Sequence, residues 1–221
     1  MDLTPTLVLS MWTAGIAATT GVIAGWRIVG SGYSRLAAAV VLLLGVAAAT
    51  TGGGSIAWVG SIAALTAVFV APFTRLYVVL IAASSASFIA VAIDGSSSFL
   101  AVTGALFLGL ITAEMMLGHW YLVDPRLPRW ALQGLVLGAL VALIVDFTYL
   151  TTVGALDWGT GEEVLGWAFL VLTFFSAVLT IAVSLSLREP FYTGVMAATG
   201  LSYLAVLTAF GSVVLGRLLI D

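Results

Sequence analysis

Apolar residues run along this chain in long blocks, and short polar or glycine-rich breaks separate one block from the next. A helix needs about 20 predominantly apolar residues to cross the hydrocarbon core of a bilayer. Blocks of this length predict eight membrane-spanning helices, of which the second and third are separated only by the turn Thr51-Gly-Gly-Gly-Ser55. The predicted spans cover residues 5–29, 34–51, 55–73, 75–93, 97–122, 129–152, 163–186 and 191–216.

Composition supports the membrane assignment. The 221 residues are 62% hydrophobic and 8% charged, with a mean hydropathy of +1.22, whereas soluble domains carry about 25% charged residues. We therefore predict an all-α integral membrane protein. The chain has no cysteine and no lysine, which excludes disulfides, thiolate metal sites and a retinal Schiff base. A net charge of −3 without a basic cluster gives no support for nucleic-acid binding.

The arginines predict an orientation. All seven basic residues are arginines, and six of them fall in the odd-numbered loops between the predicted spans. The positive-inside rule places these loops in the cytoplasm and both termini outside. An arginine-only, alanine- and glycine-rich composition is typical of a bacterial protein, so we expect a multi-pass protein of the bacterial cytoplasmic (inner) membrane. The six loop arginines are Arg27, Arg35, Arg75, Arg126, Arg129 and Arg188.

An internal repeat is visible when the chain is shifted by 94 residues. The segment 25–38 then lies over 119–132, and the shift aligns Trp26 with Trp120 and Arg35 with Arg129. A second match, Pro72-Phe73 with Pro190-Phe191, needs a shift of 118, because the second half has extra residues near an acidic outer loop at 157–163. These matches predict two parallel four-helix repeats, residues 1–94 and 95–221. Chance similarity between apolar, alanine-rich helices is the alternative.

Glu114 is the main candidate for chemistry, and it has no counterpart in the first half, where Thr20 occupies the matching position. It lies inside the hydrocarbon by the span prediction, where an ionisable side chain costs about 2.5–3.5 kcal/mol and typically marks a proton path or a ligand site. Because hydrocarbon does not solvate a carboxylate, we expect the neutral form at rest. The structural alternative is a neutral carboxyl that is hydrogen-bonded to a neighbouring helix.

The residues that follow Glu114 supply the rest of a candidate quinone site. Gly118 and Tyr121 share the helical face of Glu114, whereas His119 lies on a different face, near the cytoplasmic interface, next to Trp120. Proton exchange by Glu114 or His119 would be the catalytic step, and all five residues would contact the quinone or other ligand. One histidine cannot supply both axial ligands of a haem, so no haem is expected, and no covalent cofactor or metal site is predicted either.

Two further groups are weaker candidates. Asp146 should lie near the outer surface, and we expect it simply to be the end of a span that reaches water, although an outer terminus of a polar route is the alternative. The loop Asp124-Pro-Arg-Leu-Pro-Arg129 is stiffened by two prolines. Its arginines, Arg126 and Arg129, could dock a partner subunit or anionic lipid headgroups, although a turn between helices requires nothing more.

Three functions fit these features. The first is a membrane-anchor subunit of a respiratory or redox complex, with a quinone site and a proton route in the second repeat; it would be at most a quinone-binding or non-catalytic subunit of an oxidoreductase. The second is a small-solute or ion transporter built from parallel repeats. The third is a cofactor-free scaffold. The expected partners are the lipid bilayer and other protein subunits, with electron transport through a partner's cofactor.

Overall fold

The structure consists of long helices. The computed structural model describes residues 4–156 and 163–220, so the acidic outer loop lies outside the described residues except for Glu163. Every regular element in those two ranges is helical, which confirms the all-α prediction, and the helix ends lie within four residues of the predicted spans. The elements are α1 (Pro5–Gly25), α2 (Ser31–Ala48), a π turn (Ala49–Gly53), α3 (Gly54–Val70), α4 (Thr74–Gly95), α5 (Ser98–Tyr121), α6 (Arg129–Thr152), α7 (Glu163–Ser186) and α8 (Tyr192–Leu218).

Within the described ranges, seven helical segments are long and apolar enough to cross a membrane, as a multi-pass membrane protein requires. One of them, Ser31–Val70, is 40 residues long, and it comprises α2, the π turn and α3 with a break in the helical geometry at Gly52. Large apolar side chains cover the outside of the bundle. Phe69, Phe174 and Leu207 are 74%, 65% and 68% exposed, as expected for side chains that face lipid rather than water.

The π turn reverses the chain between α2 and α3. Gly52 and Gly54 have φ angles of 126° and 62°, which residues with a Cβ rarely adopt. A Cβ on Gly45 would lie 3.1 Å from Oγ of Ser61, so the two helices lie side by side near the turn. The Thr6 hydroxyl donates to the carbonyl oxygen of Thr51 at 2.6 Å and thereby ties the turn to the start of α1.

α1 and α5 form the centre of the bundle and cross at Gly15 and Gly109. A Cβ on either glycine would overlap the backbone of the other helix, so the two backbones are in direct contact. Such contacts between small residues are the usual way that helices pack in membranes, where lipid provides no hydrophobic drive for association. A polar bond supports the crossing, since Nε1 of Trp12 donates to Oγ1 of Thr112 at 2.9 Å.

The remaining helices are arranged around this central pair. α2 and α4 pack against α1, and α3 packs against both α2 and α4. α6 and α8 pack against α5, and α7 packs against both α6 and α8. The candidate residues of α5 therefore face neighbours from the second half of the chain on one side and α1 on the other.

Candidate functional site

Glu114 lies in the interior of the bundle and is fully buried. Its neighbour on α8 is Ser202, but the Ser202 hydroxyl donates to the carbonyl oxygen of Thr199 at 2.9 Å. Neither carboxyl oxygen of Glu114 has a hydrogen-bond partner among the described residues. A charged carboxylate without donors is very costly in such a place, whereas a protonated carboxyl needs only an acceptor for its own hydrogen.

The seam between α5 and α8 is tight beside this carboxyl. A Cβ on Gly118 would lie 2.7 Å from Oγ1 of Thr199 and 3.8 Å from Oε1 of Glu114. Gly118 therefore gives room to Thr199, and the helices approach closely at this point. Thr199 donates its own hydroxyl hydrogen to the carbonyl oxygen of Val195 at 2.9 Å, and the hydroxyl next to the Glu114 carboxyl is that of Ser202.

His119 lies outside this buried seam, as its different helical face predicts. The imidazole is exposed, and its Nδ1 is 3.3 Å from the hydroxyl oxygen of Tyr203 on α8. Along the axis of α5, His119 is about 7.5 Å nearer to the helix end than Glu114. α8 thus contacts both groups through neighbouring residues, Ser202 at the buried carboxyl and Tyr203 at the exposed imidazole.

The two aromatic residues of the predicted site point to different helices. The indole of Trp120 packs edge to face on Tyr33 of α2, with ring centroids 6.1 Å apart. Tyr121 is buried, and its ring centroid is 6.4 Å from that of Tyr192 at the start of α8. Of the predicted ligand residues, Glu114, Gly118, His119 and Tyr121 therefore contact α8, and Trp120 contacts α2.

The two loop arginines have different surroundings. The Arg129 guanidinium donates to the carbonyl oxygens of Glu189, Pro190 (2.8 Å) and Phe191 (3.1 Å) and so fastens the turn between α7 and α8. Asp124 does not pair with the Arg126 side chain in the described contacts, since its carboxylate accepts a hydrogen bond from the Arg126 backbone N–H at 3.2 Å. Arg126 is exposed, whereas Arg129 is half-buried.

Asp146 is not the water-exposed end of a span, and that expectation is wrong. It is 4% exposed and forms a two-pronged salt bridge with Arg217 of α8, with N–O distances of 2.6 and 2.7 Å. The Thr103 hydroxyl also donates to Asp146, and Arg217 donates to the carbonyl oxygen of Leu100 at 2.8 Å. The pair is buried because α6 continues for six residues beyond Asp146.

Sequence reasoning missed Arg217 as a partner for this acid. Gly104 makes room for it, since a Cβ there would lie 2.5 Å from Nη2 of Arg217. One signal was present: Arg217 is the single arginine predicted on the outer side, and Asp146 is the acid predicted at a similar depth. Buried opposite charges in lipid are expected to pair.

An apolar groove lies on the opposite side of α5. It runs between α1, α5 and α6 beside the Trp26–Trp130 ring pair, whose centroids are 5.0 Å apart, and its volume is about 300 Å³. None of the predicted ligand residues lines this groove. The described residues contain no cluster of three or more histidine and acidic side chains that could hold a metal ion.

Taken together, the fold and the site define the class of the molecule as an all-helical chain with lipid-facing helices and two buried acids in its second half. Models of known protein families, curated proteins and solved structures were compared with the chain, and none of them matches it.

Proposed function

We propose that the chain is a membrane-anchor subunit of a respiratory or redox complex, in which Glu114 exchanges protons with a quinone bound at the α5–α8 seam. The observation that carries the proposal is the fully buried Glu114 carboxyl, both oxygens of which lack a hydrogen-bond partner among the described residues. A buried carboxyl without hydrogen-bond donors favours its protonated form and can therefore donate that proton to a ligand.

The proposed orientation has eight crossings with both termini outside the bacterial inner membrane. The π turn supports the separation of α2 from α3, because it contacts Thr6 at the start of α1 and α4 ends close by, with Leu7 3.6 Å from a Cβ on Gly95. The turns that hold Arg27, Arg75, Arg126 and Arg188 then lie at the other end of the bundle. By the positive-inside rule, that end is cytoplasmic.

The proposed repeat of residues 1–94 and 95–221 is supported by the central crossing. Gly15 and Gly109, which meet there, are 94 residues apart, the same shift that aligns Trp26 with Trp120. When a two-fold axis relates two halves of a molecule, equivalent residues of the halves meet on that axis, as they do in an isologous contact between subunits. The flanking pattern also matches, since α2 and α4 pack on α1 as α6 and α8 pack on α5.

The quinone headgroup would bind where His119 and Tyr203 meet the lipid, because an exposed imidazole and a phenol can donate to or accept from its carbonyl oxygens. Reduction of a quinone to a quinol takes two electrons and two protons. The electrons would come from a redox cofactor of a partner subunit. One proton would come from Glu114 and the other from the cytoplasm through His119, and both groups would then be reprotonated.

Replacement of Glu114 by glutamine tests this function. In membranes that contain the assembled complex, Glu114→Gln should lower quinone reduction by roughly 100-fold, since a positioned proton donor contributes about that much or more. Assembly should be intact, because the amide has the same shape and no charge. Glu163→Gln is the matched control, since it removes the carboxyl of an exposed residue at the start of α7.

Purification in mild detergent provides an independent test. We expect redox subunits to co-purify in stoichiometric amounts and a photoreactive short-chain quinone to label α5 or α8. Normal quinone turnover in the Glu114→Gln variant would contradict the quinone proposal. Solute or ion flux through the isolated chain in liposomes, without redox partners, would favour a transporter instead.

A further inference from the structure

The apolar groove between α1, α5 and α6 continues beyond the neighbourhood of the Trp26–Trp130 ring pair. A second opening, of about 430 Å³, adjoins it along α5 and α6. Because the two openings share lining residues, they form one continuous groove, here called the long groove, which runs from the ring pair to Val145. The shared residues are Leu106, Leu110 and Gly134.

The length of the long groove suits a hydrocarbon chain. It follows α6 from Trp130 to Val145, a distance of about 22 Å at about 1.5 Å per residue. Half of the hydrocarbon core of a bilayer is about 15 Å thick, so the groove has room for the full length of a lipid chain that enters from this end. A water molecule needs only about 10–15 Å³, whereas the two openings measure about 300 and 430 Å³.

The walls of the long groove are apolar below the ring pair. The two threonines that line it use their hydroxyl hydrogens within the protein, since Thr19 donates to the carbonyl oxygen of Gly15 at 2.8 Å and Thr103 donates to Asp146. Apart from the two indoles at its end, the other lining residues are alanine, valine, leucine and glycine. Such walls suit a hydrocarbon chain, and indoles at a helix end typically lie at the level of the lipid headgroups.

Two arginines flank the ring pair at the end of the long groove. Arg27 directly follows Trp26 and is exposed, and its guanidinium has no hydrogen bond or ion pair with any described residue. Arg129 directly precedes Trp130, and its guanidinium donates to neutral carbonyl oxygens of the turn between α7 and α8. No carboxylate among the described contacts neutralises either charge, so this end of the groove favours an anion.

The backbone of Arg27 adds a second observation. Its φ angle is 56°, in the left-handed region that glycine usually occupies just after the end of a helix. A residue with a Cβ is strained there, so the turn itself would be better served by glycine. A contact of the arginine side chain with an anionic ligand would offset that cost.

We propose that the long groove binds the acyl chain of an anionic phospholipid, whose phosphate is held by Arg27 and attracted by the charge of Arg129. A partner helix fits less well, because the contact between the Trp26 and Trp130 rings closes the end of the groove. A helix about 10–12 Å across would have to displace the rings, whereas a single chain lies below them. The site is on the opposite side of α5 from His119 and does not depend on a quinone.

The experiment is photolabelling of the full chain in lipid nanodiscs. The probe is a phosphatidylglycerol with a diazirine in its acyl chain, and a phosphatidylcholine with the same chain is the zwitterionic comparison. Peptide mapping should place the phosphatidylglycerol label on α5 and α6, at residues that line the long groove, in excess over the lipid-facing surfaces of α3 and α7. Labelling by phosphatidylglycerol should exceed labelling by phosphatidylcholine about fivefold, the factor expected from one arginine beside a lipid phosphate.

Two variants separate the headgroup from the chain. Arg27→Gly should abolish the preference for phosphatidylglycerol without weakening the fold, because glycine suits the left-handed φ angle. Arg75→Gln is its control, since Arg75 is an exposed arginine near the start of α4 that does not line the groove. Gly134→Leu places a side chain in the open space of the groove and should lower labelling by both probes, whereas Gly134→Ala should leave most of it. Melting temperatures in detergent confirm that each variant is folded.

Equal labelling by the two lipids in the native chain, or a preference that survives in Arg27→Gly, would overturn the phospholipid site. A label spread evenly over α3, α5, α6 and α7 would show surrounding bilayer lipid only. Displacement of the label by a short-chain quinone would assign the groove to the quinone instead. Loss of the label in the assembled complex, with strong labelling of the isolated chain, would assign the groove to a partner subunit.

Discussion

At the level of single residues, the two buried acids, Glu114 and Asp146, differ in what surrounds them. Asp146 faces Arg217 and Thr103, which satisfy a charged carboxylate. Beside Glu114 lies Ser202, whose hydroxyl donates to the carbonyl oxygen of Thr199 at 2.9 Å, so a protonated carboxyl suits the place better than a charged one. The two carboxyl groups thus differ in their neighbours: an arginine and a threonine contact Asp146, whereas no basic side chain forms an ion pair with Glu114 among the described residues.

The Asp146–Arg217 pair leads to a stability prediction. Arg217→Met should destabilise the protein by about 3–5 kcal/mol, because it leaves a buried carboxylate without its partner. The double change Arg217→Met/Asp146→Leu should recover most of this loss, since apolar replacements of buried ion pairs are often neutral. Thermal unfolding in mild detergent measures both. Equal losses in the single and double variants would show that the pair has no such coupling.

The depth of Glu114 could be predicted from the sequence, because its distance from each polar break is counted in helical residues. The pairing of Asp146 with Arg217 could not, because the two residues are 71 positions apart and hydropathy says nothing about which helices are neighbours. His119 was correctly placed on a different face from Glu114, since that relation depends only on the 3.6-residue period.

At the level of helices, the crossing of α1 and α5 depends on Gly109. Gly109→Ala would place a Cβ against the backbone of Gly15, so the helices must separate. The expected cost is about 1–3 kcal/mol, the usual range for overpacking. Gly134→Ala is the control, because nothing lies within 4 Å of a Cβ at that helical position. The two variants are compared by their melting temperatures in detergent. Equal melting temperatures would contradict direct backbone contact at the crossing.

The π turn provides a second prediction at this level. Gly52 has a φ of 126°, so Gly52→Ala should cost about 1–3 kcal/mol in backbone strain. Gly30→Ala should be nearly neutral, because Gly30 has a φ of −81° and open space around it. Chemical unfolding curves provide the comparison. A neutral Gly52→Ala would show that the chain does not need the left-handed turn between α2 and α3.

The helix boundaries could be predicted because glycine, proline and charged residues interrupt the apolar blocks. The arrangement of the helices around α1 and α5 could not, since nearly every face of every helix is apolar. Gly15 and Gly109 do not stand out among 24 glycines. Only the contact between their backbones distinguishes them from Gly134, which faces open space.

For the whole molecule, the main prediction is the orientation. The chain has no cysteine, so each introduced cysteine is the only thiol. In intact cells, a membrane-impermeant maleimide should label Ser55→Cys, next to the π turn, and should label Gly30→Cys only after permeabilisation. The positive-inside rule gives this direction. Labelling of both sites from the same side would contradict the separate crossings of α2 and α3.

The helices are arranged around the crossing of α1 and α5, and the two buried acids of the described residues, Glu114 and Asp146, both lie in the second half of the chain. The first half places Thr20 and Ser84 where the second has Glu114 and Ser202. Buried polar atoms without a hydrogen-bond partner occur in both halves of the described chain, whereas the two buried acids occur in the second.

A redox-induced infrared difference spectrum tests the central claim most directly. A short-chain quinone is added to the purified complex and reduced, and the change in carboxyl bands is recorded. We predict a change in the protonated-carboxyl band that disappears in Glu114→Gln and persists in Glu163→Gln. Identical difference spectra for the native chain and the Glu114→Gln variant would contradict the proposed proton exchange at Glu114.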